Sequence, residues 1–200
     1  AGDILGGNMR LAAYPPGKGD ITNMIRSYIH RCQKDGVKIV MNCEVTPELI
    51  KEEKPDSVII ATGSKTLILP IEGIDNPAII HGSDLLDGKR GAGKKVLVVG
   101  GGMVGCETAA FLGEQEHDVT VIEFRDTVGA DVIHEHRVYL MKDFEDYGIK
   151  EITGAKVCKF YEDGVEYETA DGQRHETRGY DSVILSMGFR NYNPLEEKIK

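Results

Sequence analysis

Lys95-Val96-Leu97-Val98-Val99-Gly100-Gly101-Gly102-Met103-Val104-Gly105-Cys106-Glu107, answered by Val119-Thr120-Val121-Ile122-Glu123, is the stretch that decides the fold. Its first five residues are apolar after a basic start, the pattern of a strand buried on both faces of a parallel sheet. A glycine turn then opens a helix from about Met103 to Gln115, with Val104, Thr108, Phe111 and Leu112 sharing its inner face. Val119–Ile122 reads as the next strand. Strand, glycine turn, helix and strand in that order make a βαβ unit.

Within the turn, Gly100, Gly102 and Gly105 form G-x-G-x-x-G, a spacing that gains meaning from its place between a buried strand and a helix. Gly100 permits the tight turn, Gly102 lets main chain approach a diphosphate, and Gly105 lets helix and strand pack closely. Unpaired amides at the helix start, Gly101, Met103 and Val104 among them, together with the positive end of the helix dipole, hold phosphates without a basic side chain. Glu123 ends the following strand, eighteen residues past Gly105. A carboxylate there accepts both hydroxyls of an adenosine ribose, which predicts NAD(H) over NADP(H). Arg125, two residues on, is the competing feature, because a guanidinium there suits a 2′-phosphate.

Two neighbours carry alternatives. Glu107 is read either as a carboxylate favourably placed in the first turn of the helix or as a contact to the nicotinamide end of the cofactor. Cys106 reads as a packing residue, since no histidine lies near it in sequence. No side chain is assigned a catalytic role.

Working outward, Gly- and Pro-rich residues 1–19 read as a loop. A helix is expected from an Asp20 cap through Ile21, Met24, Ile25, Tyr28, Ile29 and Cys32 to a stop at Gly36. Val37–Met41 and Ser57–Ala61 read as strands, with a helical turn at Pro47–Glu53 between them and Thr62-Gly63-Ser64 after. Residues 70–93 read as a connector. Beyond Glu123, Ile133, Leu140, Met141 and Phe144 mark a second amphipathic helix ending at Gly148. Asp163-Gly164 and Asp171-Gly172 cut residues 156–178 into a three-strand antiparallel meander, and Ser182–Ser186 returns as an apolar strand. The whole is an α/β, Rossmann-type three-layer dinucleotide-binding domain with a parallel sheet plus that meander.

A formal charge of −9 opposes nucleic acid or an anionic membrane surface as partner. No apolar run reaches the ~18 residues that span a bilayer, and no export signal opens the chain, so it reads as cytoplasmic. Cys32, Cys43, Cys106 and Cys158 are widely spaced, and His134 and His136 fall on different helix faces, so no metal site is predicted. Lacking an initiating methionine and opening on a loop, the chain is expected to be an excised piece of a longer protein.

Several segments resemble, in order, the C-terminal half of the NADH:flavin oxidoreductases, the group of 2-enoate reductase, 2,4-dienoyl-CoA reductase and trimethylamine dehydrogenase. They are Gly6-Gly7-Asn8-Met9-Arg10-Leu11-Ala12-Ala13-Tyr14-Pro15-Pro16, Ile60-Ala61-Thr62-Gly63-Ser64, the glycine motif through Glu123, and Val183-Ile184-Leu185-Ser186-Met187-Gly188-Phe189-Arg190. The resemblance implies a parent with an FMN and iron–sulfur barrel, an FAD domain and a nicotinamide domain, these missing domains being the chain's partners. It also implies that residues 6–16 and Thr62-Gly63 lie against FAD, while Gly100, Gly102, Gly105, Glu107 and Glu123, with Met187 and Gly188, serve the nicotinamide cofactor. Residues 1–65 are then part of an FAD domain, 66–185 the NAD(H)-binding domain and 186–200 a tail returning to the first. The function implied is hydride passage from NADH to FAD in the parent, with the isolated piece inactive. Rivals are a non-catalytic NAD-binding or sensor module and a piece of a disulfide reductase. A second glycine fingerprint for FAD and the cluster cysteines are absent from these residues.

Overall fold

The computed structural model describes residues 2–199. In chain order it forms α1 (Asp20–Lys34), α2 (Pro47–Glu53), β1 (Ser64–Thr66), β2 (Ile80–His81), α3 (Gly82–Leu86), β3 (Lys95–Val99), α4 (Met103–Glu114), β4 (Asp118–Ile122) and α5 (His134–Asp146). Next come β5 (Lys150–Ile152), β6 (Lys156–Tyr161), β7 (Gly164–Glu168), β8 (Arg174–Thr177), β9 (Ser182–Leu185), β10 (Phe189–Asn191) and α6 (Glu196–Ile199). The chain divides into two compact units. One consists of Tyr14–Pro16 and Thr66–Gly188, and the other of the described residues on either side.

The larger unit is built on a five-stranded parallel sheet in the order β2-β9-β3-β4-β5. Alternation along β3 supplies both of its faces. Val96 and Val98 join Val119, Val121 and Ile184 beneath Cys106, Ala109, Leu112, Leu140 and Phe144 of α4 and α5. Leu97 and Val99 point the other way, to Val157, Phe160 and Val165 of the meander β6-β7-β8. Helices, parallel sheet and meander are therefore the three expected layers. All four valines and leucines of β3 are at most 1 % exposed, and each such buried side chain contributes roughly 1.5–3 kcal/mol of hydrophobic stabilisation. The meander turns fall at Asp163-Gly164 and Asp171-Gly172, as the Asp-Gly pairs predict.

Three readings of this unit need amendment. The connector at 70–93 contains β2 and α3, and β2 forms an edge of the parallel sheet beside β9; two residues are too short a run to show periodicity. Strand β5 was likewise without a sequence signal, being Lys150-Glu151-Ile152. Helix α4 is buried on more sides than one: Cys106, Ala109 and Ala110 are as enclosed as Leu112, while Val104 and Phe111 are half-buried. Its small residues let it lie between the sheet and α5.

In the smaller unit α1 begins as expected, although Gly19 rather than Asp20 occupies the cap and Asp20 lies in the first turn, bonded to Asn23. Helix α2 has a Thr46 cap whose Oγ1 accepts the Leu49 amide at 3.3 Å, with Pro47 in the first turn. Two short 3₁₀ turns, Gly7–Met9 and Leu11–Ala13, interrupt the expected loop. Neither Val37–Met41 nor Ser57–Ala61 is a strand. A β-strand exists only by hydrogen bonding to another, and among the described residues no ladder reaches either segment. Their apolar side chains are correspondingly open, Val40 at 60 % and Ile59 at 92 % exposure. No helix among the described residues is long and apolar enough to cross a membrane.

Candidate functional site

Strand order changes direction around β3: the chain steps to β4 and β5 on one side and on the other returns as β9, which lies between β3 and the earlier strand β2. In open α/β sheets the crevice at the carboxyl ends of the strands flanking such a reversal is where ligands bind. Here those ends carry Gly100 after β3, Glu123 after β4 and Ser186-Met187-Gly188 after β9. They converge on one open cavity of about 350 Å³ within the larger unit. Gly100, Gly102, Met103, Val104, Glu123, Arg125, Met187 and Gly188, all singled out in the sequence, line it; Leu67, Leu69, Ala155 and Val157 add an apolar wall.

Its floor depends on glycine for two separate reasons. Gly100 has φ +104°, and a Cβ there would meet the Ser186 carbonyl oxygen at 2.5 Å. Gly105 has an ordinary φ, but a Cβ would lie 1.8 Å from the Gly100 carbonyl oxygen, so it fixes the approach of α4 to β3. Gly101 and Gly105 are buried and do not line the cavity, and the Gly101 amide, expected to be unpaired, is taken by Glu123. Gly102 differs from both. Its backbone is extended, φ −73° and ψ −176°, and it lines the cavity, where the atoms nearest to a Cβ would be the Asp131 carboxylate oxygens at 3.2 and 3.4 Å.

Glu123 is 7 % exposed, and main chain fixes its carboxylate: Gly101 N–H donates to Oε2 at 2.6 Å and Arg125 N–H to Oε1 at 3.1 Å. Each oxygen keeps a free lone pair for a hydroxyl donor. Next to it Phe124 is 65 % exposed, with the Arg125 guanidinium 5.7 Å from its ring. Ser186 lines the cavity too, and its Oγ, turned toward Gly82, is buried with no partner among the described residues.

Sequence reasoning passed over Asp131. Its Oδ1 accepts the Met103 N–H at 2.9 Å, at the first residue of α4 and on the cavity wall. The sequence holds no local sign of this, because the contact spans 28 residues. Glu107 lies in the second turn of α4, not the first, and is 6 % exposed. Its carboxylate meets His136 Nε2 of α5 at 3.1 Å and is not part of the cavity lining. Thr62 and Gly63 belong to the smaller unit, where Thr62 Oγ1 donates to the Tyr192 carbonyl and Tyr192 N–H to the Gly63 carbonyl at 2.9 Å. Among the described residues no cluster suited to a metal ion occurs.

Cys106 is a packing residue. Its thiol is fully enclosed, donates to the Gly101 carbonyl at 3.2 Å, and is pushed up to about 12 by that burial. Because the thiolate is the reactive form, a thiol reagent at mild pH is expected to modify the half-buried Cys32, Cys43 and Cys158 and to spare Cys106 until the protein unfolds. Mass spectrometry of labelled peptides checks this, and labelling of native Cys106 at the rate of the others contradicts it.

The sequence profile described as pyridine nucleotide-disulphide oxidoreductase matches residues 17–200. The chain belongs to that family. This pyridine nucleotide-disulphide oxidoreductase chain is 32 % identical over 198 residues to the bilirubin reductase of Mediterraneibacter gnavus, covering 97 % of this chain and 31 % of that protein. It is 30 % identical over 199 residues to the cinnamate reductase of Clostridium sporogenes, covering 98 % and 29 %. Among solved structures, a 2-naphthoyl-CoA reductase complex superimposes with a TM-score of 0.91 at 32 % identity, over 100 % of this chain and 30 % of that one. The chain thus spans about three-tenths of the length of these relatives. The likeness to flavin-dependent reductases drawn from the sequence segments is borne out, as is the α/β Rossmann-type fold of an FAD/NAD(P)-binding protein.

Proposed function

We propose that the larger unit binds NAD(H) at the glycine corner and that its parent protein is a flavin-dependent reductase of the enoate or acyl-CoA type, passing hydride from NADH to FAD. The observation that carries this reading is the convergence of Gly100, Gly102, Glu123 and Met187-Gly188 on one cavity at the sheet's reversal point. The residues fit the cofactor. Gly102 puts no side chain of its own over the α4 amides where a diphosphate would lie, Glu123 is held where a ribose would reach it, and Leu67, Leu69 and Val157 offer apolar wall to a ring. The relatives of similar sequence, named as reductases, support the parent's class.

Bound nicotinamide supplies the hydride chemistry, and this chain's residues supply placement. The amides of Gly102, Met103 and Val104 receive the phosphates, Gly101 N–H being held by the Glu123 carboxylate; Glu123 orients the adenosine ribose, and Met187-Gly188 bounds the cavity at the end of β9. Residues 1–65 and the tail from 186 are proposed to be part of an FAD domain, with Thr62 and Gly63 against the flavin nucleotide. Nothing in these residues matches a diphosphate corner for FAD, so the isolated chain is expected to bind NADH weakly and to oxidise none, as followed at 340 nm.

Titration calorimetry with NADH and NADPH tests the assignment. NADH is expected to bind more tightly, and Glu123→Ala to weaken it about tenfold, since loss of a charge-assisted hydrogen bond costs on the order of 1.5–3 kcal/mol. Arg125 on the cavity wall favours the alternative, a 2′-phosphate, and tighter binding of NADPH would assign it that role.

A further inference from the structure

The amide a diphosphate needs at the start of α4 already has an anionic partner. Asp131 Oδ1 takes the Met103 N–H at 2.9 Å, and its two carboxylate oxygens lie 3.2 and 3.4 Å from where a Cβ on Gly102 would stand. We propose that Asp131 is a competing internal anion of the dinucleotide site, so that the cofactor's diphosphate binds only by displacing it, and that this competition sets the site's affinity. The inference rests on the reading of the glycine corner as a dinucleotide site.

Charge and mobility both support it. Asp131 and Glu123 give the cavity wall two carboxylates against the one guanidinium of Arg125, and a diphosphate brings two further negative charges. Like charges a few ångströms apart at a partly exposed site repel, and one N–H cannot serve two anions equally well. The carboxylate is nonetheless able to leave. Asp131 is exposed, while the loop that carries it is held at both ends by Val128, fully buried, and Val132, 8 % exposed. Gly129 N–H bonds the Gly101 carbonyl at 2.7 Å, Val132 N–H bonds Gly129, and Arg137 donates to Thr127 Oγ1 and the Val128 carbonyl. Rotation of the Asp131 side chain therefore frees the amide while the loop stays in place.

Calorimetry on the 200-residue chain, with NADH, ADP and adenosine as probes, tests the proposal. Asp131→Asn keeps the size and the hydrogen-bond acceptor but removes the charge; Glu145→Gln, on the outer side of α5, makes the same charge change elsewhere. Asp131→Asn is expected to tighten NADH and ADP about tenfold, on the order of 1.4 kcal/mol, with adenosine and Glu145→Gln unchanged. A thermal melt like that of the wild type establishes that the variant is folded, and Asp131→Ala, which also frees the amide, is expected to act in the same direction. If the wild type binds NADH and both Asp131 variants bind it equally or less well, Asp131 is a positioning residue and the competition is wrong while the site stands. If neither wild type nor variants bind NADH or ADP, the dinucleotide site itself is refuted.

Discussion

Gly102→Leu is expected to lose NADH binding by about a hundredfold while leaving the melting temperature within a few degrees of the wild type. A leucine is compatible with the backbone at this position, extended at φ −73° and ψ −176°. The three atoms nearest to a Cβ there all belong to the Asp131 carboxylate, an exposed side chain that can turn away. The fold therefore tolerates it, apart from ~1 kcal/mol for a poor helix cap. Binding does not, because the branched side chain would stand over the α4 amides. Losing two charge-assisted contacts to phosphate at roughly 1.5 kcal/mol each already reaches a hundredfold. Fluorescence titration of NADH beside a circular dichroism melt measures both halves, and unchanged affinity removes the diphosphate from this corner.

Gly105→Ala should do the reverse. One methyl group at 1.8 Å from the Gly100 carbonyl oxygen cannot be relieved by a side-chain rotation, since the obstacle is backbone of the turn that joins β3 to α4. Helix and strand must separate, and Cys106, Ala109 and Ala110, now fully enclosed, lose their contacts with the sheet. Overpacking of a tight core costs about 1–3 kcal/mol and more where backbone must move. For a chain of this size ~3 kcal/mol lowers the melting temperature by on the order of 10 °C. A melt indistinguishable from wild type would mean that α4 does not pack on β3 as described. The two glycines are three residues apart and carry opposite predictions, one for ligand and one for fold, which no general intolerance of the turn to substitution can imitate.

How much of this was legible in the sequence follows the range of the interactions. The β3–α4–β4 corner was readable because its determinants are local: a continuous apolar run, glycine spacing and a terminal carboxylate. The meander was readable because Asp-Gly turns declare themselves. Val37–Met41 and Ser57–Ala61 have the composition of strands, yet pairing is a property of two segments and composition describes one. Asp131 escaped for a similar reason: an aspartate beyond a glycine turn is unremarkable until folding carries it to the Met103 amide. Glu107 was placed in the right helix but a turn too early, and His136 on α5 gives its carboxylate a partner that sequence spacing does not show.

The most direct measurement follows the backbone amides of Gly101, Gly102, Met103 and Val104 by ¹H–¹⁵N NMR as NADH is added. The account predicts that these four signals, with Glu123 and Asp131, shift most, that ADP shifts the same amides, and that adenosine, which reaches Gly101 through Glu123, leaves those of Gly102, Met103 and Val104 where they were. Saturable NADH binding that moves residues elsewhere and leaves this corner silent would contradict it.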